Sequence, residues 1–365
     1  MNETGTNPPA ETNPPNSLRV MVVDDSAFMR FSITQQLAED PEIQVVGTAS
    51  NGQEALRLIP ELQPDVITLD VEMPRLDGLS TLREIMKDFP RPVIMFSSLT
   101  REGTSETVQA LMLGAVDFIP KPANRLDVKS VMGEIISKVK QAARAKVKPA
   151  ASSLIRSASG VTDKQPEKTI RAYNKKAPVV LIGSSTGGPG ALSEIIPALP
   201  PDLPSPILIV QHMPAGFTRS LSERLNSISR LKVKEAKAGD TLMAGQVLIA
   251  PGGFHMTVDE NKKIALNQKP AVHGVRPAVD VTSNSIVQQF GGNAIGVILT
   301  GMGSDGMLGM CLMHGSGGYV IAEHESTCVV WGMPRSVVEA GAASAILPRP
   351  QIPQAIESAI REMAR

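Results

Sequence analysis

The chain has 365 residues, with 36 Lys+Arg against 36 Asp+Glu and hence a formal net charge of zero. That length exceeds one ordinary core and fits two domains, while zero net charge excludes holding nucleic acid by bulk electrostatics, which needs a basic surplus. Hydrophobic residues at 42% suffice for real cores, and aromatics at 3% leave little for base-stacking surfaces.

The charge is unevenly distributed. Residues 17–124 carry nine basic and sixteen acidic residues, residues 125–176 thirteen basic and four acidic, and residues 177–365 fourteen of each. An acidic block, a basic segment and a neutral block suggest domain boundaries. The two cysteines, Cys311 and Cys328, cannot form a disulfide framework and point to a reducing, cytoplasmic setting. No run of 18 apolar residues occurs, so no membrane-inserted helix is expected.

Residues 1–16 lack a basic start and an apolar stretch, so they read as a polar, Pro-rich disordered tail and not as a signal peptide. From Leu18 the chain alternates short apolar strands (LRVMVVD, IQVVGTA, DVITLD, PVIMFSS, AVDFI) with amphipathic helices, the last near residues 125–143. This predicts a doubly wound α/β domain over 17–143 with a five-stranded parallel sheet. Residues 144–176, rich in Lys, Ser, Ala and Pro, read as a basic linker. A second doubly wound, Rossmann-like α/β domain is expected over 177–365. Its strands are PVVLIGS, PILIVQH, VLIAP, NAIGVILT and GYVIAE, with a small antiparallel insertion between Gly245 and Gln268 and a closing helix at PQAIESAIREM.

In open α/β sheets ligands bind beyond the carboxyl ends of the strands. In the first domain those ends are acidic. Asp24 and Asp25 close the first strand and Asp70 the third, an oxygen-rich set suited to Mg²⁺. Ser97 ends the fourth strand and Lys121 follows the fifth. A single aspartate at a strand end is more simply a helix N-cap, and Asp25 could cap the first helix. The five together resemble the receiver domain of two-component response regulators over residues 18 to about 140. The resemblance implies phosphoryl transfer from a histidine kinase to Asp70, with Mg²⁺ on Asp24, Asp25 and Asp70, and with Ser97 and Lys121 supporting the phosphoryl group.

In the second domain, Gly183-Ser184-Ser185-Thr186-Gly187 follows a buried strand, which is G-x-S-x-G in its strand–turn–helix context. A Gly-rich turn also suits a phosphate loop, but Pro189 stands where a Walker lysine would be needed. Ser185 needs a base. Of five histidines, His212 ends the next strand and should reach the same rim, while His255, His273, His314 and His324 fall elsewhere. Asp305, in the Gly-rich loop after another strand, fits an orienting carboxylate and a helix N-cap equally well. The Met302 N–H in that loop could face an oxyanion.

The segments GSSTGGPGAL, QHMPAGFT, APGG with His255, and TGMGSDGMLGM are similar to the catalytic domain of chemotaxis-specific protein-glutamate methylesterases, the CheB family. That resemblance implies a cytoplasmic serine esterase that hydrolyses glutamate γ-methyl esters on chemoreceptors and also deamidates glutamines. It implies Ser185 as nucleophile, His212 as base, Asp305 as orienter, backbone donors at Thr186 and Met302, and no cofactor for the esterase step. Ser184 occupies a position where the family usually has Ala. A transcriptional output, a non-catalytic adaptor and an esterase with another substrate are the rival readings. The neutral second domain and the intact Ser185, His212 and Asp305 count against the first two.

Overall fold

The structure is a computed structural model and describes residues 17–98, 100–121, 128–147, 168, 170–174 and 176–364. The expected tail at 1–16 and most of the expected linker at 144–176 lie outside the described residues. The N-terminal half runs β1 (Leu18–Val23), α1 (Ala27–Ala38), β2 (Ile43–Ala49), α2 (Gly52–Leu62), β3 (Val66–Asp70), α3 (Gly78–Asp88), β4 (Val93–Ser97), α4 (Arg101–Met112), β5 (Asp117–Pro120) and α5 (Val128–Ala142). Its five strands are all parallel in the order β2-β1-β3-β4-β5. Central strands β3 and β4 are buried at every residue, which is why they read as unbroken apolar runs. Four of the helices start at a side-chain cap: Ser26, Asn51, Asp77 and Thr100 each accept a first-turn N–H. The cap of α1 is therefore Ser26, and Asp25 is not used for that purpose.

The C-terminal half contains β6 (Arg171–Ala172), β7 (Val179–Ser184), α6 (Gly188–Ala198), β8 (Ile207–Gln211), α7 (Phe217–Ile228), β9 (Lys232–Glu235), β10 (Met243–Ala244), β11 (Gln246–Ile249), β12 (His255–Val258) and β13 (Ile264–Asn267). It continues with α8 (Val279–Phe290), β14 (Ala294–Ile298), α9 (Met307–Gly315), β15 (Tyr319–Glu323), α10 (Met333–Glu339), β16 (Ala345–Leu347) and α11 (Ile352–Met363). Seven parallel strands form one sheet in the order β16-β15-β14-β7-β8-β11-β9.

Two details differ from the sequence reading. QVLI is strand β11 of the main sheet, pairing parallel with β8 and β9, so it is not part of an antiparallel insertion. Its four residues are buried, as a strand covered on both faces requires. The insertion is only the hairpin β12–β13. The edge strands β9 and β16 also escaped the pattern. β9 carries lysines and a glutamate on a half-exposed edge, and β16 is three residues long.

Chain direction across each sheet reverses once near its centre, between β1 and β3 in the first sheet and between β7 and β14 in the second. The crevices opened there face the carboxyl ends of the strands. The halves are joined by apolar packing. One core cluster continues from the first sheet through Leu111 and Phe118 to Met213 and Phe217. The Phe118 and Phe217 rings lie 4.4 Å apart, tilted by 33°. Helix α4 packs on α6 and α7, where the Thr104 and Ser220 hydroxyls are 3.1 Å apart. Among the described residues no helix is long and apolar enough to cross a membrane.

Candidate active site

At the first crevice Asp24 and Asp70 are buried at 0% and 1% exposure, whereas Asp25 is exposed. The Lys121 ammonium lies 2.6 Å from Asp70 Oδ2 and 3.3 Å from Asp24 Oδ2. Each buried carboxylate also accepts one backbone N–H, Asp24 from Ser26 at 2.9 Å and Asp70 from Glu72 at 3.3 Å. These donors do not balance the burial. Desolvation and the neighbouring Asp24 charge, opposed by Lys121, push the Asp70 carboxyl up to about 7. Desolvation likewise raises Asp24, against the pull of Lys121. Lys121 is raised in turn, because the two carboxylates outweigh its own burial. One oxygen from each of Asp24, Asp25 and Asp70 falls within 4.8 Å of the others. Three hard oxygen donors with a surplus of negative charge are what a small divalent cation takes. Ser97 is on the same rim, but its hydroxyl is 3.0 Å from the Gly103 carbonyl in the first turn of α4 and 3.1 Å from that of Ser98.

At the second crevice Ser185 follows β7, His212 follows β8 and Asp305 lies beyond β14, so three strand ends bring them to one cleft of about 720 Å³. Gly187 has φ +76°, and a Cβ there would lie 2.6 Å from Val329, so the turn that opens α6 requires glycine. His212 Nε2 is 2.7 Å from Asp305 Oδ2. Asp305 is 2% exposed and also accepts the Val279 N–H at 2.6 Å and the Asp280 N–H at 3.0 Å. Burial alone would raise this carboxyl. The bond and charge of His212 and the two N–H groups prevail and hold it below the usual carboxylate range. An ionised carboxylate only accepts, so Nε2 carries the proton and Nδ1 is the nitrogen left to act as a base. No hydrogen bond joins Ser185 Oγ to His212 among the described residues. Such bonds commonly tighten only when substrate is present.

Asp305 is not the side-chain cap of its own helix. Gly306 stands at the start of α9 without a side-chain cap, while the Asp305 carboxylate meets the first N–H groups of α8. Asp280 returns the arrangement, accepting the Gly309 N–H of α9 at 2.7 Å. The two helices are thus capped reciprocally, and the favourable end of the α8 dipole helps keep Asp305 charged.

Thr186 and Met302 line the same cleft. The remaining histidines are placed differently. His255 is buried with Nε2 3.1 Å from the Pro270 carbonyl, His273 faces Asp280 at 2.8 Å on the cleft wall, His314 is 3.4 Å from Ser344 Oγ, and His324 is 2.9 Å from Ser326 Oγ.

One contributor was missed by the sequence reading. Gln211, buried at the end of β8, accepts the Ser184 hydroxyl at 2.7 Å. Its amide N–H groups donate to the Ser185 carbonyl at 3.0 Å and the His212 carbonyl at 3.1 Å. Ser184 therefore orients an amide that clamps the backbone of Ser185 to that of His212. A Cβ on Gly188 would lie 2.0 Å from Gln211 Oε1, so this close approach also needs glycine.

The N-terminal half reaches this cleft as well. Asp117 and Phe118 of β5 and Lys138 of α5 line it. Asp117 Oδ2 accepts the Thr186 hydroxyl at 3.1 Å, and Asp117 Oδ1 pairs with Lys138 at 3.3 Å.

Residues 180–356 match the family described as CheB methylesterase, and residues 20–132 match the response regulator receiver domain. A protein-glutamate methylesterase/protein-glutamine glutaminase of Symbiobacterium thermophilum is 53% identical over 363 residues, covering 94% of this chain and 98% of its own. The chain belongs to the CheB methylesterase family. A second relative in the family, the protein of the same description from Archaeoglobus fulgidus, is 47% identical over 338 residues, covering 91% of this chain and 95% of its own. The crystal structure of the Thermotoga maritima CheB methylesterase catalytic domain is 48% identical and covers 50% of this chain and 98% of its own, with a TM-score of 0.49. The N-terminal half is a receiver domain and the C-terminal half the methylesterase catalytic domain.

Proposed function

We propose that the chain is a phosphorylation-regulated serine esterase that hydrolyses glutamate γ-methyl esters on the cytoplasmic helices of chemoreceptors and deamidates particular glutamines by the same acyl chemistry. The observation that carries this is the 2.7 Å bond from His212 Nε2 to the buried, ionised Asp305 beside Ser185. Asp305 fixes the imidazole so that Nδ1 faces the nucleophile and stabilises the imidazolium that forms. Ser185 Oγ attacks the ester carbonyl while Nδ1 takes its proton. The oxyanion rests on backbone N–H groups at Thr186 and Met302. His212 returns the proton to the leaving methoxide, methanol departs, and a water activated by the same nitrogen hydrolyses the glutamyl-enzyme. With glutamine the leaving group is ammonia.

The switch is Asp70, which receives a phosphoryl group from a chemotaxis histidine kinase. Asp24, Asp25 and Asp70 would hold Mg²⁺, whose contribution is to offset charge on the transferring group. Lys121 pairs with the phosphoryl oxygens. The Ser97 hydroxyl turns from the Gly103 carbonyl to the phosphoryl group, which frees the first turn of α4. That turn adjoins Thr104, which meets Ser220 across the interface. In the unphosphorylated state β5 and α4 lie on the esterase, Asp117 holds Thr186, and approach to Ser185 is restricted. Phosphorylation biases the receiver away from that packing.

The test is methanol release from methylated receptor with and without a small-molecule phosphodonor. Release should be abolished in Ser185→Ala, retained in Ser184→Ala, and insensitive to the phosphodonor in Asp70→Asn. Release that survives Ser185→Ala would sink the assignment.

A further inference from the structure

The sequence of α9 is MLGMCLMHG, in which His314 is the only polar side chain. A helix apolar all round belongs in a core, yet this one is half outside it. Met310 and Met313 are fully buried, and a Cβ on Gly309 would lie 2.5 Å from Ser283, so one face is packed tightly inward. On the other face Leu308 is 59% and Leu312 45% exposed. Cys311 is half-buried between them, and Gly315 continues the same i, i+3, i+4, i+7 stripe. Nothing among the described residues covers it. α9 packs on α8, α10, β14 and β15, whereas the receiver domain lies on α6 and α7.

The stripe begins at the catalytic loop. Leu308 is one helical turn beyond Asp305, and Leu312 one turn further, so the ridge leads about 10 Å away from the triad carboxylate. Met302, 48% exposed, lines the cleft on the same loop and brings the apolar surface to its mouth. A glutamyl ester reaches Ser185 only if the polypeptide carrying it lies across this rim. Residues flanking the ester must then rest on whatever surrounds the mouth.

We propose that the Leu308–Cys311–Leu312 stripe is the docking surface for the substrate polypeptide, taking the apolar face of a receptor helix while its methylated glutamate enters the cleft. This rests on the esterase reading above. The ridge suits such an occupant in two ways. It carries no charged side chain, so it matches the apolar face of a helix. Its area is also small: two exposed leucines and a half-buried cysteine fall well short of the roughly 20–30 residues and about 800 Å² per partner of a stable dimer, and suit a transient encounter. That size argues against a second copy of the chain as the occupant.

The experiment compares two substrates of the full-length enzyme: methylated receptor in membranes, and a short blocked glutamate γ-methyl ester. Leu308→Glu/Leu312→Glu should lower kcat/KM on the receptor at least tenfold, mainly through KM, and leave hydrolysis of the short ester within twofold. Leu308→Gln/Leu312→Gln, milder for folding, should act in the same direction. Equal losses on both substrates, or unchanged receptor kinetics, would overturn the docking role. So would a wild-type dimer in sedimentation that the variants dissolve. A wild-type enzyme inactive on both substrates would instead overturn the esterase reading, and this inference with it.

Discussion

Asp70 and Asp305 invite comparison, because both are nearly fully buried carboxylates at the reversal point of a parallel sheet and yet titrate in opposite directions. Asp70 is pushed up to about 7, and Asp305 is held below its ordinary range. Burial acts on both alike. The difference lies in the donors. Asp305 receives two N–H groups from the start of α8 and the imidazole of His212, whereas Asp70 has one long N–H contact and shares Lys121 with Asp24. Asp305 is held toward its charged form by these donors. The receiver carboxylate is left under-compensated, which favours a cation that brings compensation with it. One fold class thus yields a fixed site and a poised one according to how many N–H groups are aimed at the acid.

The sharpest way to break this comparison is at the anchored site. Ser185→Ala should lower kcat by a factor on the order of 10⁶, and Asp305→Asn by about 10⁴ because the imidazole loses its orienting acceptor. Steady-state methanol release measures both, and a loss below tenfold for Asp305→Asn would remove it from the triad. Next is the poised site. Asp70→Asn should abolish stimulation by a phosphodonor and leave the unstimulated rate in place, as read in the same assay. A smaller effect is expected at Gln211, whose amide makes two hydrogen bonds to the carbonyls of Ser185 and His212, each worth about 1 kcal/mol. Gln211→Leu should therefore cost roughly tenfold or more in kcat, and Ser184→Ala, which leaves the amide in place, only a few-fold.

The smallest effect is on stability. Asp70 has a folded value near 7 against about 3.8 when exposed, so between those values the folded state binds more protons than the unfolded one. Stability then falls as pH rises through 7. In metal-free buffer the thermal midpoint of the receiver transition should drop by a few degrees between pH 6 and 8. Mg²⁺ should flatten that slope, and Asp70→Asn should remove it. A slope that persists in Asp70→Asn would assign it to another group.

The strand ends of the receiver were legible in the sequence because a strand covered on both faces is an apolar run, and a polar residue terminating it stands out. Asp24, Asp70 and Ser97 could be placed for that reason, and Ser185, His212 and Asp305 by the same logic. What stayed hidden depends on contacts across the fold. Gln211 reads as one more residue in ILIVQH, and only the pairing of β7 with β8 sets it beside Ser184. Asp280 gives no signal as a cap, because the helix it serves begins more than twenty residues later. Asp305 looked as much like a local cap as an orienter, and it proves to cap a helix other than its own. The packing of Phe118 on Phe217 could not be read from either domain's pattern, since each ring is unremarkable in its own strand or helix.

Strand β5 has a further consequence. It is four residues long, Asp117–Pro120, with Lys121 immediately after. One end holds Asp70 and the other holds Thr186, about 13 Å apart along a strand. A receiver taken from another signalling protein would bring its own acceptor aspartate and lysine and could still be phosphorylated. It would lack an Asp117 matched to Thr186 and a Phe118 matched to Phe217, and the contacts that tie β5 to the esterase would be lost. One four-residue strand therefore serves both halves of the chain, with Asp117 and Phe118 meeting the esterase domain and Lys121, just after it, meeting Asp70.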